Sequence, residues 1–212
     1  MKLDKVIRKL EEALKKPLPG KMGQGTMAPK PIDARRFSLN IPENHRKGAV
    51  LMLFYQDEEG CLVPFIKRPT YEGVHSGQIA FPGGKWELTD LNLGETALRE
   101  AEEEIGVDRN KVELIGRLTD LYIPASNFMV SPFIGFTHEK PEFRPDPFEV
   151  ERIITFPLSD LLDQKIRKMG SVNIDSGLKL ETPYFDIDQE MVWGATAMIL
   201  GEFMQLWENS RE

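Results

Sequence analysis

An α/β sandwich around a mixed sheet, with a helix added at the N-terminus, is the fold this sequence predicts. Three observations predict it. Strand-like and helix-like segments are interleaved along the chain, the pattern of layered α/β folds. An apolar hairpin opens the main body, and an amphipathic stretch precedes it. In residues 3–14, Leu3, Val6, Ile7, Leu10 and Leu14 recur at helical spacing. Residues 17–47 begin PLPGKMGQGTMAPKP and show no period, so they read as a long segment wrapping the domain. GAVLMLFYQ (48–56) and CLVPFIK (61–67) flank DEEG and predict a hairpin. QIAF (78–81) predicts a short strand running into a PGG turn. GETALREAEEEIG (94–106) predicts a helix that Gly106 ends as a C-cap glycine. KVELIGRL, MVSPFIGF and ERIITFPL predict further strands, SDLLD a short helix, and residues 193–209 a closing amphipathic helix.

Composition narrows the function. The chain of 212 residues is 41% hydrophobic and 29% charged, so one soluble globular domain with a helical extension is expected. No apolar run reaches the ~20 residues a membrane span needs, and no membrane partner is expected. The charged N-terminus does not resemble a signal peptide, and the single cysteine, Cys61, fits a cytoplasmic location. An isolated cysteine is read as a small packed hydrophobe. A net charge of −7 argues against nucleic acid, which needs a basic face. An acidic protein repels polyphosphates as well, unless a cation held by clustered carboxylates inverts the local field.

The helix at 94–106 offers such a cluster. On a wheel of roughly 100° per residue, Ala97, Leu98, Ala101 and Ile105 form a core stripe. Glu100, Glu103 and Glu104 share the neighbouring arc, while Glu102 points elsewhere. Like charges at this spacing repel. A hard divalent cation turns that repulsion into coordination, with Mg²⁺ completing its shell from water and phosphate. A solvated acidic face is the competing reading. FPGGK (81–85) shifts the balance, because a Gly-rich turn just upstream lets backbone approach phosphate or metal closely.

Gly84, Arg99, Glu100, Ala101, Glu103, Glu104, Gly106 and Val107 resemble the Nudix box, R-E-aliphatic-x-E-E-x-G-aliphatic with an upstream glycine. The interval from Gly84 to Arg99 is one residue longer than usual, and Asp90 stands where the box has its loop glutamate. The coenzyme A pyrophosphatase branch of that family resembles this loop. Arg68, Gly77, Phe81, Pro82, Gly83 and Gly84 match that branch's upstream signature, and His75 with Gln78 resemble its H-x-G-Q. Pro69 stands where Ser or Ala is expected, and Gly73 where a second arginine is expected. The resemblance spans roughly residues 48–200.

It implies a Nudix-type α/β/α sandwich, with residues 1–47 as helix and wrapping segment and residues 48–212 as the hydrolase domain. It also implies a Mg²⁺ (or Mn²⁺) cofactor and a small-molecule nucleoside diphosphate substrate, with a homodimer left open. The implied metal residues are Glu100, Glu103, Glu104 and a carbonyl of Gly84. The implied catalytic residues are Glu103, as base or further ligand, with Glu100 and Arg99, the last orienting the others. Arg68, His75 and Gly83 are the implied substrate contacts, and Glu149 is a candidate remote carboxylate. Tyr122, Phe128 and Phe133 would either stack on a base or pack the core. Coenzyme A or a derivative would give 3′,5′-ADP and 4′-phosphopantetheine. ADP-ribose, another nucleoside diphosphate derivative, or a ligand-sensing role without turnover are the alternatives.

Overall fold

The computed structural model describes residues 1–37, 41–73, 75–173 and 179–210. The first half runs α1 (Leu3–Leu14), α2 (Lys21–Gly25), β1 (Arg46–Asp57), β2 (Gly60–Lys67), β3 (Ile79–Ala80), β4 (Gly83–Lys85) and α3 (Leu93–Ile105). Then follow β5 (Glu113–Arg117), β6 (Leu121–Ile123), β7 (Phe128–Thr137), β8 (Arg152–Pro157), α4 (Leu158–Leu161), β9 (Arg167–Asn173), β10 (Lys179–Ile187), β11 (Glu190–Val192) and α5 (Gly194–Asn209).

β1 organises the layers. Its side chains alternate between faces, as a strand requires. Ala49, Leu51 and Leu53 enter one core with Ala97, Ala101 and Ile105 of α3. Met52 and Phe54 enter the other, with Leu10 of α1 and Phe203 of α5. Both faces are covered, so the strand reads as a continuous apolar run. β2 pairs antiparallel with β1, with Tyr55 opposite Leu62, as the hairpin predicted. β7 lies parallel to β1 on its other side, which makes the sheet mixed. The sheet order is β3-β2-β1-β7-β5, with β4 on β1, β6 on β7 and β8 on β2.

Two sequence expectations need correction, and two further features were not foreseen. Gly83 and Gly84 lie in a strand, not a turn: Val50 faces Gly83 and Ala49 faces Gly84 across the β1–β4 pair. The strand is hidden in the sequence because glycine has no strand propensity. β6 and a separate antiparallel sheet, β11-β10-β9, are not signalled by apolar alternation either. α5 is not amphipathic but buried almost all round, because α1 and α2 cover the side that faces away from the sheet. The wrapping segment contains α2, a helix despite its KMGQG sequence. Gly23 is needed there, since a Cβ would come 2.7 Å from the Cα of Glu202.

Glu202 fixes that wrap. Its carboxylate is fully buried in α5 and accepts from Gly20 N at 3.1 Å, Thr119 N at 3.1 Å and Gln24 Nε2 at 2.9 Å. A buried charge persists where its lone pairs are met by donors. Among the described residues, no helix is long and apolar enough to cross a membrane.

Candidate active site

α3 begins where Asn92 accepts from Gly94 N at 2.8 Å and Glu95 N at 3.1 Å, an N-cap. It ends at Gly106 in the left-handed region, φ 71°. With Ala97, Ala101 and Ile105 buried against β1, the helix is rotated so that Glu100 and Glu104 face β4.

Glu104 is 1% exposed. Its Oε2 accepts from Gly83 N at 2.7 Å, and its Oε1 lies 3.9 Å from Arg68 Nη2. Glu100 packs on the Cα of Gly84, where any Cβ would collide with its carboxylate. The β4 glycines thus make room for two carboxylates.

A third arrives from the loop before β8. Asp146 N donates to the Glu104 backbone carbonyl at 3.0 Å, hanging that loop on α3. Asp146 Oδ1 then accepts from Phe148 N at 2.7 Å and Glu149 N at 3.1 Å, an Asx turn that presents Glu149. Oxygens of Glu100, Glu104 and Glu149 lie within 4.8 Å of one another. Burial pushes the Glu104 carboxyl up to about 8, opposed by Arg68 and the Gly83 N–H and reinforced by Glu100 and Glu149. Burial also raises Glu100, with Arg99 acting the other way. Such crowding is what a divalent cation relieves, and an all-oxygen donor set suits Mg²⁺ or Mn²⁺.

Arg99 is saturated. Nε donates to Asp90 Oδ1 at 2.8 Å and Nη2 to Asp90 Oδ2 and Lys85 O, both at 3.0 Å. Nη1 donates to Glu100 Oε1 and Glu103 Oε2, each at 3.0 Å. It therefore ties the β4 loop to two helix glutamates. Asp90 is itself pinned by Thr96 Oγ1 at 2.9 Å and Glu87 N at 3.0 Å. The longer loop still delivers its carboxylate to Arg99. Glu103 stands outside the three-carboxylate group, with its side chain 59% exposed beside Arg99.

A cavity of about 420 Å³ opens beside Gly83 and Gly84, with Arg68, His75, Gln78 and Phe128 among its walls. Arg68 Nη2 lies 3.4 Å from Gly83 O. His75 has φ 75° and its Nδ1 is 3.0 Å from Gln78 Oε1. Its pKa is lowered by burial first, with Arg68 and Arg36 acting in the same direction. Phe128 carries the Arg46 guanidinium 4.3 Å above its ring. Tyr122 is buried and donates to Asn127, while Phe133 packs on the α3 core, so neither lines the cavity. Lys67 pairs with Glu151 and Glu190. Sequence reasoning missed Asp146, whose sole signal is an Asx-turn residue two positions before Phe148. It also missed Arg36.

Carboxylates clustered beside a Gly-rich strand, on a sheet covered on both faces, make a site suited to a divalent cation and a phosphate-bearing ligand. A family model for the NUDIX domain matches residues 45–172. Nudix hydrolase 15 of Arabidopsis thaliana is 35% identical over 184 residues, covering 84% of this chain and 62% of the plant protein. The chain therefore spans less than two thirds of that relative. The Nudix hydrolase NudL of Photorhabdus laumondii is 30% identical over 177 residues, covering 80% of this chain and 93% of that protein. A crystal structure of a MutT/nudix family protein from Enterococcus faecalis superposes with a TM-score of 0.49 at 14% identity, covering 81% of this chain and 65% of that one. The chain belongs to the Nudix family of hydrolases, which act on diphosphate bonds.

Proposed function

We propose that this protein is a Mg²⁺- or Mn²⁺-dependent hydrolase of coenzyme A or its derivatives, releasing 3′,5′-ADP and 4′-phosphopantetheine. The observation that carries the hydrolytic reading is the approach of Glu100, Glu104 and Glu149 to within 4.8 Å beside the cavity at Gly83–Gly84. Those three carboxylates would hold the ion, with Gly84 O as a further donor. When bound, the ion supplies Lewis acidity toward the phosphate oxygens and a more acidic water.

The chain's own residues do the rest. Arg99 holds Glu100 and Glu103 in fixed orientation through one nitrogen. Glu103 Oε2 is engaged by Arg99, so Oε1 is the oxygen that takes a proton from the attacking water. The water oxygen bonds to phosphorus as the bridging P–O bond breaks, and the leaving phosphate carries that electron pair. Arg68 and His75 face the cavity and meet the substrate's phosphates, and Gly83 keeps the backbone close enough for that contact.

Coenzyme A is favoured by the run from Arg68 to Gly84, which matches the coenzyme A branch at Gly77 and Phe81-Pro82-Gly83-Gly84. ADP-ribose is the second reading, favoured by Gly73 in place of an arginine. A panel of coenzyme A, dephospho-coenzyme A, ADP-ribose and dinucleotides, with products identified by mass, tests both readings. We expect coenzyme A to be cleaved in Mg²⁺ and spared in EDTA. Turnover of ADP-ribose alone would end the coenzyme A reading.

A further inference from the structure

Beyond His75 and Gln78, which line both spaces, the first cavity gives way to a second of about 920 Å³. The wrapping segment forms one wall and β9, β10 and the start of α5 form others. Gly73 lies on it and offers no side chain, with φ 150°.

The charged groups facing this space are Asp33, Arg35, Arg36 and Glu190, with His75 at the junction. Three of these four charges are cancelled locally. Asp33 accepts from Arg35 Nε and Nη2, the latter at 2.7 Å. Glu190 pairs with Lys67 at 3.0 Å and Arg152 at 2.8 Å, and Lys67 also pairs with Glu151.

Arg36 is different. Among the described residues, its guanidinium makes one hydrogen-bond contact, from Nη1 to the Met198 sulfur at 3.7 Å, and a thioether is a weak acceptor. The side chain is half-buried, and its loss of hydration pushes the guanidinium pKa down. Asp33, already committed to Arg35, offsets this only in part. A half-buried guanidinium on a cavity wall, with no oxygen acceptor among the described residues, suits a bidentate oxyanion. Arg68 lines the first cavity and Arg36 the second, with His75 and Gln78 shared between the two.

We propose that Arg36, delivered by the wrapping segment, is the anchor of a second anion subsite that binds a phosphomonoester of the substrate remote from the diphosphate being cleaved. This rests on the coenzyme A reading and identifies the 3′-phosphate as the group bound.

The test separates the subsite from the choice of substrate. Binding of 3′,5′-ADP and 5′-AMP is measured by calorimetry on wild type, R36M, R36K and R35M, alongside kcat/KM for coenzyme A and dephospho-coenzyme A. We expect wild type to favour 3′,5′-ADP, R36M to lose roughly tenfold of that preference, R36K to keep part of it, and R35M to keep it all. The kcat/KM ratio of coenzyme A to dephospho-coenzyme A follows the same order. Equal binding of the two nucleotides by wild type, or an unchanged preference in R36M, overturns the subsite. Retained 3′,5′-ADP preference with no cleavage of either coenzyme leaves the subsite standing and removes the substrate reading.

Discussion

Arg99 and Asp90 meet in parallel, Nε to Oδ1 and Nη2 to Oδ2, with the Asp90 side chain 4% and the Arg99 side chain 14% exposed. Fork-to-carboxylate pairing of this kind holds Asp90 far below the usual carboxylate range, and Arg99 correspondingly high. Removing the Asp90 charge takes from the mostly buried Arg99 its bidentate partner and leaves it only Lys85 O, Glu100 and Glu103. We expect Asp90→Asn to destabilise the protein by about 3 kcal/mol in urea unfolding. The stabilisation from a depressed carboxyl is present at neutral pH and lost on acidification, so wild type and variant should converge at low pH. A constant gap down to acid would show that the ion pair is not the cause.

The roles of the helix glutamates separate by burial. Glu104→Gln keeps an oxygen for the Gly83 N–H, so the fold should survive. Its kcat/KM should fall about a hundredfold or more if, as proposed, that carboxylate holds the metal ion, since such a ligand would support several kcal/mol of transition-state stabilisation. Mn²⁺ affinity, read by paramagnetic titration, should fall with it, and Glu149→Gln should behave alike. Glu103→Gln should lower kcat while leaving most Mn²⁺ affinity. Equal loss of Mn²⁺ in Glu103→Gln would make Glu103 a principal ligand.

The raised Glu104 carboxyl predicts an unusual pH dependence for the EDTA-treated protein. Its ordinary value is 4.5 and burial moves it to about 8. Below the first value it is protonated whether folded or unfolded. Between the two, the unfolded chain ionises and the folded one does not, so stability declines as pH rises and levels off above the second. On the proposed reading, Mg²⁺ would select the ionised carboxylate and should raise Tm more at the alkaline end of this window than at the acid end. A Tm of the metal-free protein that climbs across the window would contradict the assignment.

Much of this was readable in advance, for physical reasons. The hairpin, α1 and α3 are set by local periodicity, and Gly106 by its left-handed backbone. Cys61 is buried, as a packed hydrophobe would be, and burial pushes its thiol up to about 12. β4 was not readable, because its residues are chosen for the absence of side chains against Glu100 and Val50. α5 reads as amphipathic only if nothing covers it, and its covering helices are nearly two hundred residues away in sequence. The contact of Glu149 with Glu100 and Glu104 depends on a backbone bond from Asp146 to Glu104, which no spacing rule encodes.

Glu202 offers a check on the wrap. Glu202→Ala would leave Gly20 N, Thr119 N and Gln24 Nε2 short of an acceptor, at a cost of about 3 kcal/mol. Hydrogen exchange should show α1 and α2 losing protection before β1. Uniform loss across the sheet would mean that Glu202 supports the whole core rather than the clasp.

That clasp also imposes an order of events during synthesis. Leu3, Val6, Ile7 and Leu10 are made long before α5, yet they are buried in a core completed by Met198, Phe203 and Trp207. Until α5 leaves the ribosome, the nascent chain carries a sticky amphipathic helix with nowhere to dock. α1 therefore settles only once α5 is made, and a nascent chain stalled before α5 is the form most in need of a chaperone.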